Sequence, residues 1–191
     1  MSFQKPARSL VVAACCVITC SSGFGQESFV LQGGEYSLSG SLPGDQVQAS
    51  VAVNTSGGIL VWEDNFTDGD GSGIRARLLD STFSGTLSSF RVNEGAQGNQ
   101  GKPATAMLGL GGAVIVWQGG VPGFEDIYAR FLTASNTWAT GDVLVNAYTS
   151  DLQEDPAVAA LNGGDSVVVW TSYNQSGPGS MKDVYLQRFS A

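Results

Sequence analysis

From residue 49 onward the chain alternates between short apolar runs and clusters of Gly, Asn, Asp and Ser, with no long apolar stripe at helical spacing. Runs of this length between turn-forming residues read as strands, so the pattern predicts an all-β protein. Self-comparison makes the pattern periodic. "GGILVW" (57–62), "GGAVIVW" (111–117) and "GGDSVVVW" (163–170) are related, and their tryptophans lie 55 and 53 residues apart. A short run precedes each of these segments: "ASVAV", "PATAML" and "PAVAAL". Each is followed by "IRARLL", "DIYARFL" or "DVYLQRF", and the first two copies continue into "SFRVN" and "DVLVN". A glutamine stands seven residues beyond each closing asparagine: Gln100 after Asn93, and Gln153 after Asn146.

Each unit therefore contains four strands, a to d, in roughly 54 residues. The same cassette extends backwards: "EYSLS" (35–39) reads as a lone strand d, with Gln46 seven residues further on. Repeat 1 covers about 48–93, repeat 2 about 102–146, and repeat 3 about 155–191, the last without its strand d. Residues 26–191 thus form a single repeat domain in the order d, abcd, abcd, abc. Strand b is apolar throughout rather than alternating, which calls for burial on both faces. Four-stranded blades of a β-propeller meet that requirement, and a β-trefoil or another three-fold β closure is the alternative. Three blades are too few for an ordinary ring, so the order of strands predicts a homodimer that completes a six-bladed one.

The chemistry is limited by what is missing. There is no histidine, and Cys15, Cys16 and Cys20 all lie in the first 25 residues. Those residues read as a signal peptide: Lys5 and Arg8, then the apolar "SLVVAACCVITC", then small residues ahead of a cut before Gln26. A lipoprotein anchored through Cys15 or Cys20 is the alternative to ordinary secretion, whether periplasmic or extracellular. Beyond residue 25, disulfides, thiolate nucleophiles, His/Cys zinc sites and histidine bases are all excluded. The net charge of −8 argues against nucleic acid and anionic membrane surfaces as partners, and no later apolar stretch is long enough to span a membrane.

The cassette "PAVAALNGGDSVVVW…DVYLQRF" (156–189) resembles a repeat of large secreted bacterial proteins, those described as haemolysin-type calcium-binding or adhesin-like. The resemblance spans residues 26–191 and implies propeller-like blades. It carries no activity, because the calcium label of such proteins often belongs to other domains. This chain has none of the nonapeptide calcium repeats.

One stretch does suggest a metal. In "DNFTDGDGSG" the spacing Asp68-x-Asp70-x-Ser72-Gly73 resembles the opening of an oxygen-lined calcium loop. The corresponding loops "QGGVPGFE" and "TSYNQSGPGSMK" lack that spacing, which favours a tight Gly/Asp hairpin turn, with one calcium ion as the alternative. Arg77, Arg130 and Arg188 recur at one place in strand c, each before Leu or Phe, and read as links between blades. Gln46, Gln100 and Gln153 read as side chains that satisfy turn backbone, and Trp62, Trp117 and Trp170 as packing anchors. Trp138 fits no repeat position and could line a sugar surface with Tyr148 and Tyr173, or cover the core. The expected role is that of a secreted, non-enzymatic binding or scaffolding module, acting on a cell-surface protein or an extracellular glycan. A carboxylate-dependent glycan hydrolase or lyase is the alternative, as is a truncated propeller remnant without a function of its own.

Overall fold

The computed structural model describes residues 30–31, 33–66, 68–83 and 88–191. Residues 1–25, expected as a signal peptide and holding Cys15 and Cys20, lie outside the described residues. The chain divides into two units, Met1–Tyr36 and Ser37–Ala191. In the first, the described residues contain no strand. The second is all-β, with no helix among its described residues.

Its strands form three antiparallel sheets. The first contains β1 (Gln46–Asn54), β2 (Gly57–Asp64), β3 (Gly73–Leu79) and β4 (Phe90–Arg91), in that order. The second repeats the arrangement with β5 (Asn99–Met107), β6 (Ala113–Gly120), β7 (Asp126–Leu132) and β8 (Val143–Leu144). The third has three strands, β9 (Gln153–Ala160), β10 (Ser166–Tyr173) and β11 (Lys182–Phe189), with β10 in the middle. Residues 35–39, expected as a strand, are in none. Strand d is also shorter than expected, at two residues in β4 and in β8, because an asparagine side chain takes over its ladder.

The second sheet is buried on both faces. Ile115 and Trp117 pack with Ile59, Val61, Ile74 and Ala76 of the first sheet. Val114, Val116, Ile127 and Ala129 pack with Val168 and Trp170 of the third. Successive residues of β6 therefore enter different cores, which is the physical reason its sequence shows no polar alternation. β2 and β10 are also apolar, and each sends one face into a core shared with β6. The hairpin into β6 needs glycine: Gly112 has φ +81°, and a Cβ there would lie 2.0 Å from the Leu132 carbonyl oxygen.

A β-bulge recurs in the first strand of every sheet. Gln48, Lys102 and Asp155, each two residues after a repeat glutamine, have φ of 52°, 50° and 54°. At each the pairing with the second strand slips. Pro103 and Pro156 follow directly, where the interrupted ladder tolerates a residue without an N–H. The bulged strands are neighbours, β1 beside β5 and β5 beside β9. Lys102 Nζ binds Asp155 Oδ1 at 2.7 Å between two of the bulges.

The register corrects one sequence expectation. Arg77 lies opposite Leu60 and Arg130 opposite Ile115, each two residues before the tryptophan of its sheet. In the third sheet that place belongs to Gln187, opposite Val168, while Arg188 lies opposite Val167. "YAR" in β7 has become "YLQR" in β11, and the extra residue turns Arg188 to the other face.

Candidate functional site

The sheets are joined at one end by a repeated set of polar contacts. Strand d makes its last backbone rung from Val92 N to Ile74 O, and from Val145 N to Ile127 O, both 2.8 Å. The next rung is a side chain. Ile74 N donates to Asn93 Oδ1 at 2.8 Å, and Ile127 N to Asn146 Oδ1 at 2.7 Å. The amide nitrogens donate onward to the turn carbonyls of Gly95 and Tyr148. Both asparagines are 2% exposed, so each satisfies backbone groups that water cannot reach.

The repeat glutamines finish the same turns. Gln46 Nε2 donates to Pro43 O and Gly44 O, Gln100 Nε2 to Gln97 O and Gly98 O, and Gln153 Nε2 to Asp151 O. Gln100 N also donates to Ser72 O (2.7 Å) and Gln153 N to Glu125 O (2.8 Å), single backbone bonds that tie each sheet to the one before it. Trp170 Nε1 donates to Gln153 Oε1 at 3.0 Å. Trp62 Nε1 is buried without a partner.

At this polar end, where the turn after β4 meets the second sheet, lies a cleft of about 370 Å³. Gly95, Gln97 and Gln100 form one wall; Trp117, Gly119, Gly120, Val121, Phe124, Asp126, Tyr128 and Asp142 complete it. Asp126 and Tyr128 are two residues apart on β7 and so share a face. Tyr128 lies opposite Trp117 in the ladder, and the two rings stack at 6.0 Å with 20° between their planes. Burial raises the Asp126 pKa, partly offset by the hydrogen bond from Asn146 Nδ2 at 2.7 Å. Tyr128 is also raised, first by burial and then by the negative charges of Asp126 and Asp142. Asp142 Oδ2 accepts from the backbone N–H groups of Glu94 (2.8 Å) and Gly95 (3.0 Å), fastening the first sheet's turn to the second sheet.

Asp68, Asp70 and Ser72 border this region and are occupied by protein groups. Asp68 Oδ1 meets Arg91 Nη2 at 2.7 Å, and Oδ2 accepts from Asn93 Nδ2 at 3.1 Å. Burial raises the Asp68 pKa, against the lowering by Asn93 and Arg91. Asp70 Oδ2 accepts from Gly98 N at 3.2 Å, and Ser72 Oγ donates to Gln100 O at 2.9 Å. Among the described residues no group of three or more His, Cys, Asp or Glu is arranged to hold a metal ion. The Arg91 guanidinium against Asp68 opposes a second cation at that carboxylate.

No family model matches the chain. No curated protein is significantly similar to it either.

The remaining candidates occupy separate surroundings. Arg130 is buried: Nη1 donates to Val92 O and Nη2 to Glu94 Oε1, both at 2.6 Å, and Nε to Thr140 O at 3.1 Å. Its guanidinium carbon lies 4.1 Å from the ring centroid of Trp138, which also packs edge-on to Phe90. Arg188 is exposed and pairs with Asp165 within its own sheet. Tyr148 donates to Asp151 Oδ2 at 2.6 Å, and Tyr173 contacts Met181 Sδ. Sequence reasoning did not single out Asn93, Asn146, Asp126, Tyr128 or Asp142 as site residues. The constant interval from asparagine to glutamine was the one signal that could have marked the two asparagines.

Proposed function

We propose that this protein is a secreted, non-enzymatic binding module of propeller-like blades whose cleft beside Tyr128 takes a neutral oligosaccharide at the cell surface. The observation that carries the proposal is the cleft's lining: a stacked Tyr128–Trp117 pair beside Asp126, Asp142 and the Gln100 amide, with no basic residue. Aromatic faces match the C–H faces of sugar rings, and carboxylates accept from their hydroxyls. Such a lining repels anionic polysaccharides. The blade reading draws support from the adjacency of β1, β5 and β9, the order expected if each first strand lies nearest a central axis. Binding rather than hydrolysis is favoured because both carboxylates are committed to the turns, Asp126 to Asn146 and Asp142 to two backbone amides.

Calorimetric titration with neutral oligosaccharides tests this reading. The expected result is saturable binding that Tyr128→Ala abolishes, without cleavage of the ligand. One observation favours a second reading: a carboxyl with a raised pKa shares the cleft with another carboxylate, as in acid-assisted glycoside hydrolysis. Release of reducing ends that disappears in Asp126→Asn would replace binding with catalysis.

A further inference from the structure

The first two sheets each end in a short segment that closes with Val-Asn: Val92-Asn93 on β3 and Val145-Asn146 on β7. In each, the valine N–H donates to the carbonyl of Ile74 or Ile127, and the N–H of that isoleucine donates to the asparagine Oδ1. Counted from the tryptophan of each sheet, the residue of β11 in the place of Ile74 and Ile127 is Val184. Asn174 N donates to Met181 O, and bonded pairs alternate along the ladder from there. Val184 and Leu186 therefore turn their backbone N–H and C=O groups away from β10. Among the described residues no strand lies on that side of β11.

The asparagine amide nitrogen also meets a carboxylate in both sheets. Asn93 Nδ2 donates to Asp68 Oδ2 at 3.1 Å, and Asn146 Nδ2 to Asp126 Oδ1 at 2.7 Å. Asp183 precedes Val184 as Asp126 precedes Ile127, and its Oδ2 is buried without a hydrogen-bond partner. An acceptor buried in this way is costly until a donor reaches it. The valine of each closing segment packs with Ile74 and Ala76, or with Ile127 and Ala129. Their counterparts in β11, Val184 and Leu186, are 78% and 60% exposed. Backbone, carboxylate and apolar side chains of the third sheet thus all lack the same partner.

We propose that the outer edge of β11 is a strand-acceptor site for another polypeptide, whose ligand is an extended segment with the pattern apolar, any residue, Val, Asn. The valine N–H donates to Val184 O, Val184 N donates to the asparagine Oδ1, and the asparagine Nδ2 donates to Asp183. The valine side chain covers Val184 and Leu186. Main-chain bonds supply affinity, and the asparagine between Val184 and Asp183 supplies selectivity. Residues 36–39 of this chain follow the apolar part of the pattern but end in serine, which lacks the amide that meets both groups. The segment is therefore supplied by another polypeptide.

A capped peptide of residues 142–149, DVLVNAYT, titrated into the full chain tests the proposal, with amide hydrogen exchange at Val184 as the readout. Saturable binding of one peptide per chain is expected, and exchange at Val184 should slow. The same peptide carrying Asn146→Ala should bind at least tenfold more weakly, a comparison that leaves the protein unaltered. Val184→Pro removes the outward N–H and spares the bonds to β10, and Asp183→Ala removes the carboxylate. Each variant, folded by circular dichroism, should also weaken binding at least tenfold. No binding, equal binding of the Asn146→Ala peptide, or binding indifferent to both protein substitutions would overturn the proposal. So would exchange at Val184 that is already slow without peptide. If that protection is independent of protein concentration, the chain covers its own edge; if it grows with concentration, a second copy does.

Discussion

Arg130 of the second sheet donates to the carbonyl of Val92 in the first across 2.6 Å, while the same side chain covers Trp138. Arg130 therefore bridges two repeats in a place water does not reach. Arg130→Met keeps the volume but leaves Val92 O and Thr140 O without this donor. It should cost about 2–3 kcal/mol in urea unfolding, given the price of orphaned buried acceptors. Arg188→Met removes only an exposed pair within one sheet and should leave the midpoint unchanged. Equal effects from the two would restore the view that these arginines are equivalent.

Asn93 and Asn146 replace a backbone rung with a side-chain rung. Asn146→Ala leaves Ile127 N and Tyr148 O unpaired at a buried position. The loss should be about 2–3 kcal/mol, with a similar loss for Asn93→Ala. Amide hydrogen exchange at Ile127 should accelerate in the first variant and at Ile74 in the second.

Asp126 carries a carboxyl whose pKa burial raises above the ordinary aspartate value of about 3.9. The folded state then holds its proton more tightly than the unfolded chain does. The stability this contributes is fully present below the ordinary value and is lost as pH rises through the raised one. Asp126→Asn keeps an acceptor for Asn146 and removes the charge. Melting temperatures from pH 3 to 8 should fall less steeply with rising pH in the variant across that window, and the variant should be the more stable protein at neutral pH.

Asp68 already faces Arg91 at 2.7 Å, so a cation there would compete with a guanidinium. Addition of millimolar calcium, or of a chelator, should leave the melting temperature unchanged. A calcium-dependent rise that Asp68→Ala abolishes would reinstate the metal reading.

The three central strands were legible because Val and Ile fill them without a polar alternate, and their tryptophans set the period. The bulges were half legible, as Pro103 and Pro156 mark them but Ala49 does not. Arg188 was misplaced because its Arg-Phe pair imitates that of Arg130, whereas the ladder counts from tryptophan, and from there the extra residue is plain. Residues 35–39 match the cassette yet form no strand: β4 and β8 each pair with the preceding third strand of their own sheet, and among the described residues no strand precedes residue 35. The cleft itself was not legible. Asp126, Asp142 and Gln100 are distant in sequence and come together through strand pairing within the second sheet, beside the turn of Gly95 and Gln97.

The four tryptophans provide four indole signals to follow during a titration with a neutral oligosaccharide. Trp117 stacks on Tyr128 in the cleft, Trp138 packs beneath Arg130, and Trp170 is bonded to Gln153. In a nitrogen–proton correlation spectrum the Trp117 indole should move in a saturable way while those of Trp138 and Trp170 stay in place. Movement of Trp138 instead, or no movement across a panel of neutral sugars, would contradict the account.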